Sequence, residues 1–117
     1  MGAFNPDEIA YMTGERRLAR IATVGADGMP HVVPVGWTYN AEQDTIDVGG
    51  RDMGATKKFR DVKLNGRAAI VIDDVVPPWS PRGIEVRGRA EALEDNSTST
   101  PAPVIRIRPD HVRSWGL

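Results

Sequence analysis

The fold class this sequence predicts is a small, mainly β domain whose strands curl into a closed or partly closed barrel. Short apolar segments recur at close spacing with turn residues between them, and just two stretches carry helical periodicity instead. An open sheet of so many short strands would leave two unpaired edges, which closure removes. With 117 residues and no internal repeat, the chain reads as one domain, 1–117.

The first element is a helix. Asn5 can cap it, Pro6 takes its first position, Asp7 and Glu8 suit its positive end, and Phe4 and Ile9 are spaced as a hydrophobic staple. Gly14 ends it. "RRLARIATV" and "HVVPVGWTY" then read as two strands joined by the turn "GADGMP". Pro34 inside the second of these has no N–H to give a ladder, which points to an edge, a bulge or a strand that faces a ligand. After the turn "AEQD" comes a third strand, "TIDVGG".

A second short helix follows, with Asp52 or Thr56 as its N-cap, Ala55, Phe59 and Val62 as its apolar stripe, and Asn65-Gly66 as its stop. "RAAIVID" is a nearly continuous apolar run and reads as a central strand. "DVVPPWSPRG" reads as a proline-rich loop. "IEVRGRAEAL" alternates, with Ile84, Val86, Gly88, Ala90 and Ala92 on one face and Glu85, Arg87, Arg89 and Glu91 on the other, wet one. "EDNSTSTPAP" reads as a loop, "VIRIRP" as the last strand and "DHVRSWGL" as a short tail. The expectation is six strands and two short helices. Loops 74–83 and 95–103 are expected to shape any acceptor pocket.

Composition narrows the function. Fifteen basic and sixteen acidic residues leave a net charge of -1, so the chain lacks the diffuse positive field of a nucleic-acid or anionic-membrane binder. An anion site must be local. The absence of cysteine excludes disulfides and thiolate chemistry, and His31 and His111 alone can supply imidazole, too few and too scattered for a metal site. No serine sits in a nucleophile elbow, and neither a GxGxxG nor a Walker-type loop is present. Without a signal sequence or an apolar run of membrane length, a cytoplasmic protein is expected, and the sequon Asn96-Ser97-Thr98 carries no meaning.

One segment stands out against this neutral background. Lys57 and Lys58 open the second helix, where the helix dipole disfavours cations by a few tenths of a kcal/mol, roughly. The ordinary reading of such a pair is a solvated face. The functional reading is a phosphate cradle, built from Gly49, Gly50 and Arg51, the Thr56 hydroxyl, the two lysines and the free N–H groups of the helix start. Among the tryptophans, Trp37 and Trp115 suit a core or interface, whereas Trp79 among Pro77, Pro78 and Pro81 suits partial exposure and contact with a flat ligand or a subunit.

Four ordered blocks, "LARIATVGADGMPHVVPVGW", "DVGG...TKKFRDVKLNGRAAIVI", "WSPRGIEVRGRAEAL" and "IRIRPDHVRSWGL", resemble the pyridoxamine 5'-phosphate oxidase-like, flavin-binding split β-barrel proteins. The resemblance is nearest to the small actinobacterial branch that uses the deazaflavin coenzyme F420. It implies a six-stranded split β-barrel, a homodimer with cofactor sites at its interface, and hydride transfer from the reduced coenzyme to an electron-poor small-molecule acceptor. By position it assigns the phosphate to Thr56, Lys57 and Lys58, the preceding strand end to Gly49, Gly50 and Arg51, and the ring-facing backbone to Val33, Pro34 and Val35. No catalytic side chain and no metal ligand is assigned, because the cofactor carries the chemistry. "HVVPVGW" lacks the Arg and Lys that the oxidase proper places on this strand, and the oxidase's longer C-terminal segment is absent, which argues against pyridoxamine phosphate as substrate. FMN in place of F420, or a non-enzymatic carrier of flavin, deazaflavin or haem, are the alternatives.

Overall fold

The computed structural model describes residues 2–94 and 102–117. The sequon and most of loop 95–103 lie outside them. In chain order the elements are α1 (Pro6–Thr13), β1 (Ala19–Val24), β2 (Pro30–Val35), β3 (Thr38–Asn40), β4 (Thr45–Val48), a 3-10 turn (Met53–Ala55), α2 (Lys57–Asn65), β5 (Arg67–Val76), β6 (Ser80–Leu93) and β7 (Val104–Trp115). All pairings are antiparallel, in the order β2-β1-β5-β6-β7-β4-β3.

That order explains the barrel. β2 and β3 stand at opposite ends of the sheet, yet just Gly36 and Trp37 separate them in the chain. Three Cα steps reach at most about 11 Å, so the sheet must curl until its two edges meet. The barrel is closed by covalent connection there, and the two edge strands form its split.

Seven strands form where six were expected, because Gly36-Trp37 breaks "HVVPVGWTY" into β2 and β3. Trp37 turns inward onto the core and donates its Nε1–H to the Arg17 carbonyl at 2.7 Å. Two further expectations are corrected. The segment read as loop 74–83 is mostly hairpin, with Asp74 opposite Arg82 and Val76 opposite Ser80, so that Pro77 to Trp79 alone form the turn. The expected C-terminal tail continues β7 to Trp115, opposite Gly83 of β6.

Period-two alternation fills the interior. Ile21, Ile70, Ile72, Ile84, Ile105 and Ile107 are each almost fully buried, and Ile70 lies between Ile21 and Val86 in register. Such β-branched side chains suit a pleated, tightly packed wall. Phe59 and Val62 of α2 join this core, and α2 packs against β1 and β6. The capping box read from the sequence is present, with Glu8 N–H donating to Asn5 Oδ1 and Asn5 N–H donating to Glu8 Oε1, both at 2.8 Å.

Two charge clusters fasten the shell. Asp74 accepts from Arg82 at 2.8 and 3.0 Å and from the Tyr11 hydroxyl at 2.7 Å, with Arg17 Nε 3.4 Å away and its guanidinium stacked over the Tyr11 ring. Hydrogen bonds from Arg82 and then Tyr11 hold the Asp74 carboxyl well below its usual range. Burial, reinforced by that same bond, pushes the Tyr11 phenol up. On the opposite side of the sheet order, Arg106 of β7 grips Asp47 of β4 with two bonds of 3.0 Å, and Asn40 and Thr45 complete the acceptor's shell.

Candidate functional site

Thr56 is the N-cap of α2, which resolves the two alternatives left by the sequence. Its Oγ1 accepts from the Phe59 N–H at 3.2 Å and donates to the Met53 carbonyl at 2.7 Å. The hydroxyl's proton is therefore engaged inside the fold. Asp52 instead starts the 3-10 turn in a left-handed conformation and makes no side-chain cap.

Lys57 does not face its unfavourable helix end without a counter-ion. Its Nζ lies 3.0 and 3.1 Å from the two carboxylate oxygens of Asp61, one turn along α2. Asp61 is 5% exposed and accepts a further bond from Thr23 Oγ1 of β1 at 2.9 Å. Burial pushes the Asp61 carboxyl up, but the bonds from Lys57 and Thr23 outweigh it and bring it below the ordinary value. The sequence reading missed Asp61, although the Lys57–Asp61 spacing of four was visible. Lys58 makes no ion pair among the described residues.

The remaining predicted residues are distributed around this start. Val33 and Val35 point into the barrel and pack on its core, whereas Pro34 faces outward opposite Arg20. β2 is an edge strand, which by itself accounts for a proline there. Gly49, Gly50 and Arg51 leave the end of β4 and run into the 3-10 turn that leads to Thr56. Among the described residues neither Arg51 nor Lys58 makes an ion pair. The Lys57 ammonium does reach the end of β1, since a Cβ added at Gly25 would lie 2.9 Å from Nζ.

Beside that end of β1 opens a groove of about 640 Å3 on the outer face of β1, β5, β6 and β7. Ala22, Val24, Pro30 and Ala69 line it together with Arg67, Arg87, Arg89, Asp110 and His111. Its volume lies in the range of small-molecule and cofactor sites. The sequence reading saw Arg87 and Arg89 as a wet face, but not their convergence with Arg67, which only the register of β5 on β6 supplies. His31 is not in the groove. It faces inward opposite Thr23, and its Nδ1 is buried with no hydrogen-bond partner among the described residues. Among the described residues, no three metal-ligating side chains come together. Trp79 stands 75% exposed at the tip of the β5–β6 hairpin.

A seven-stranded antiparallel sheet curled into a barrel, with a helix start and a groove on its wall, defines a split β-barrel. Residues 6–116 match the profile described as pyridoxamine 5'-phosphate oxidase, and the chain belongs to that family. It is 39% identical over 120 residues to the 5a,11a-dehydrotetracycline/5a,11a-dehydrooxytetracycline reductase of Streptomyces rimosus, an alignment spanning 97% of this chain and 84% of the relative. The fold is shared with the conserved hypothetical protein Rv2991 of Mycobacterium tuberculosis at a TM-score of 0.74 and 20% identity, covering 97% of this chain and 85% of that one. It is shared also with a protein described as an F420 reductase at a TM-score of 0.67 and 19% identity, covering 89% and 94%.

Proposed function

We propose that the protein is an oxidoreductase that binds coenzyme F420 and, as a homodimer, reduces an electron-poor organic acceptor. The observation that carries this reading is the placement of a cationic helix start beside the end of β1, where a mostly apolar groove of about 640 Å3 begins. The residues present fit a flat cofactor with a phosphate-bearing tail: Lys58, the free N–H groups of α2 and Arg51 suit the tail, while small side chains along β1 and β5 suit a ring face. The fit is narrower than the sequence suggested, since the Thr56 hydroxyl and the Lys57 ammonium already have partners.

Bound in reduced form, F420 would supply the hydride for reduction of a conjugated acceptor. The chain's own part is to hold the anionic tail, present the ring and keep water from the reacting faces. The 39%-identical reductase supports reduction as the direction of the chemistry. Exposed apolar side chains on the sheet's outer edge and hairpin, Val32 at 65% and Trp79 among them, support a subunit contact.

Calorimetric titration of the purified protein with F420, with FMN as a parallel arm, tests the cofactor. Binding of F420 with a Kd on the order of micromolar is expected. Binding of FMN but not F420 would transfer the reading to a flavin enzyme, and binding without reduction of any acceptor, dehydrotetracyclines included, would leave a carrier. Light scattering on the eluting protein checks the dimer.

A further inference from the structure

His111 is exposed and lines the outer groove, although the alternation along its own strand points it the other way. In the first half of β7 the odd-numbered residues face inward, and Ile105 and Ile107 are fully buried. Continued unbroken, that pattern would put residue 111 in the core. A β-bulge prevents it. Arg87 of β6 pairs with His111 and Gly88 with Pro109, leaving Asp110 as the extra residue of β7, and beyond it the parity is reversed. Val112 then packs on the core opposite Val86, and His111 faces out. Gly88 permits the bulge, because a Cβ there would collide with the Arg108 carbonyl oxygen. Bulges of this kind re-aim side chains beside binding sites.

The register fixes where His111 is aimed. Ala22 of β1, Ala69 of β5, Arg87 of β6 and His111 of β7 stand opposite one another in a single row across the sheet. Neighbouring strands lie about 4.8 Å apart, so His111 is about 10 Å from Ala69, across the groove from the small side chains that suit the ring. The charged groups around it are Arg87 and Glu85 on β6 and Asp110 and Arg113 on β7. Imidazole is the side-chain class that gives up and regains a proton near neutral pH, whereas guanidinium groups hold theirs and carboxyl groups are ordinarily ionised there. The Thr23 hydroxyl, also on the lining, is already bonded to Asp61.

We infer that His111 is the proton donor to the acceptor. An acceptor whose conjugated double bond takes a hydride at one carbon is left with an electron pair spread over the neighbouring carbon and the carbonyl oxygen. An imidazolium N–H bond of His111 then breaks as a C–H or O–H bond forms there, and the imidazole regains its proton from water. This role rests on the reductase reading above. It adds the source of the second hydrogen.

Placement and chemistry are tested separately. Protein carrying 13C-labelled histidine gives signals from two imidazoles, which His111→Gln assigns, and titration with F420 should move the His111 signal in step with calorimetric binding. The second arm follows reduction of cyclohex-2-en-1-one or 5a,11a-dehydrotetracycline, whichever is turned over faster, with reduced F420. In the parent, kcat should decline as pH rises across the range in which imidazoles lose their proton, about 5 to 8. His111→Gln should lower kcat about 100-fold and abolish that decline, with acceptor KM, F420 affinity and Tm unchanged, and free imidazole in the buffer should restore part of the rate. An unmoved His111 signal at saturating F420, a variant kcat within about 2-fold of the parent, or the same pH profile in both would overturn the inference and leave the coenzyme reading standing. No F420 binding, or binding without reduction of either acceptor, would overturn both.

Discussion

Replacing Lys57 and Lys58 separately by alanine should give opposite results, although the two stand side by side. Removing Lys57 leaves the Asp61 carboxylate, 5% exposed, with Thr23 as its remaining side-chain donor. Breaking a fully buried ion pair costs about 3–5 kcal/mol, and an exposed one contributes about 0.2–1. The Lys57 side chain is 49% exposed, so the expected loss falls between, at about 1.5–2 kcal/mol. For a chain of this length that is a fall in Tm of about 6–8 °C. Lys58→Ala removes a cation from the first helical turn without stranding a partner, so Tm should hold or rise by a degree or so, roughly. Affinity for F420 should follow the reverse order, falling about 10-fold with Lys58 and less with Lys57. Calorimetric melting and titration of both variants, with Asp61→Asn and the double variant closing a cycle for Lys57, measure these quantities. A Lys57→Ala melt within about 1 °C of the parent would refute the argument that Asp61 depends on it.

Other consequences follow from the same contacts. Arg106→Ala should destabilise by about 3 kcal/mol, since it strands the largely buried Asp47 carboxylate, and chemical denaturation with urea would read this as a lower midpoint. Asp47, Asp61 and Asp74 all have folded-state values below the ordinary carboxylate range, so their stabilisation is present above about pH 4 and is lost as pH falls through the folded values. Tm measured from pH 7 down to pH 3 should decline, and Asp74→Asn should flatten that decline; an unchanged slope would contradict the role given to Asp74. Tyr11 has the opposite sign: its raised value makes stability fall as pH rises beyond about 10, and Tyr11→Phe should remove that alkaline limb. Gly88→Ala should cost at least about 2 kcal/mol or prevent folding, because the added methyl meets backbone rather than a movable side chain.

The sequence was most informative where the physics is local. The cap, proline and acidic first turn of α1, the inward face of β6 and the apolar run of β5 all appear as read, since each depends on neighbours within a few residues. Misreadings occur where long-range pairing overrides a local signal. Pro77, Pro78 and Pro81 suggested a long loop, but Pro81 sits in β6 opposite Val75, and ten ladder pairs between β5 and β6 carry the hairpin past it. Asp110 and Pro109 looked like the beginning of a tail, yet the bulge opposite Gly88 absorbs them and β7 continues for another turnless stretch to Trp115.

The surroundings of the two lysines were less legible in the sequence than the strands. Two lysines at a helix start signal an anion site only if nothing in the fold already answers their charge, and the answer, Asp61 with Thr23, joins α2 to a strand 38 residues away in the chain. What the sequence presented as one electrostatic conflict is two different situations. Lys57 is neutralised by Asp61, and the bond that Asp61 accepts from Thr23 ties the helix to β1. Lys58 retains the conflict, and a conflict that the fold does not relieve is where an external anion gains the most. The arginine rim obeys the same logic across strands: Arg67, Arg87 and Arg89 look like ordinary solvated charge until the register sets them around one floor with a single acid among them. If the Lys58 end of α2 holds an anionic cofactor tail, cofactor affinity should weaken with salt, while stability, which rests on Asp47, Asp61 and Asp74 in partly or fully buried pairs, should respond to salt far less.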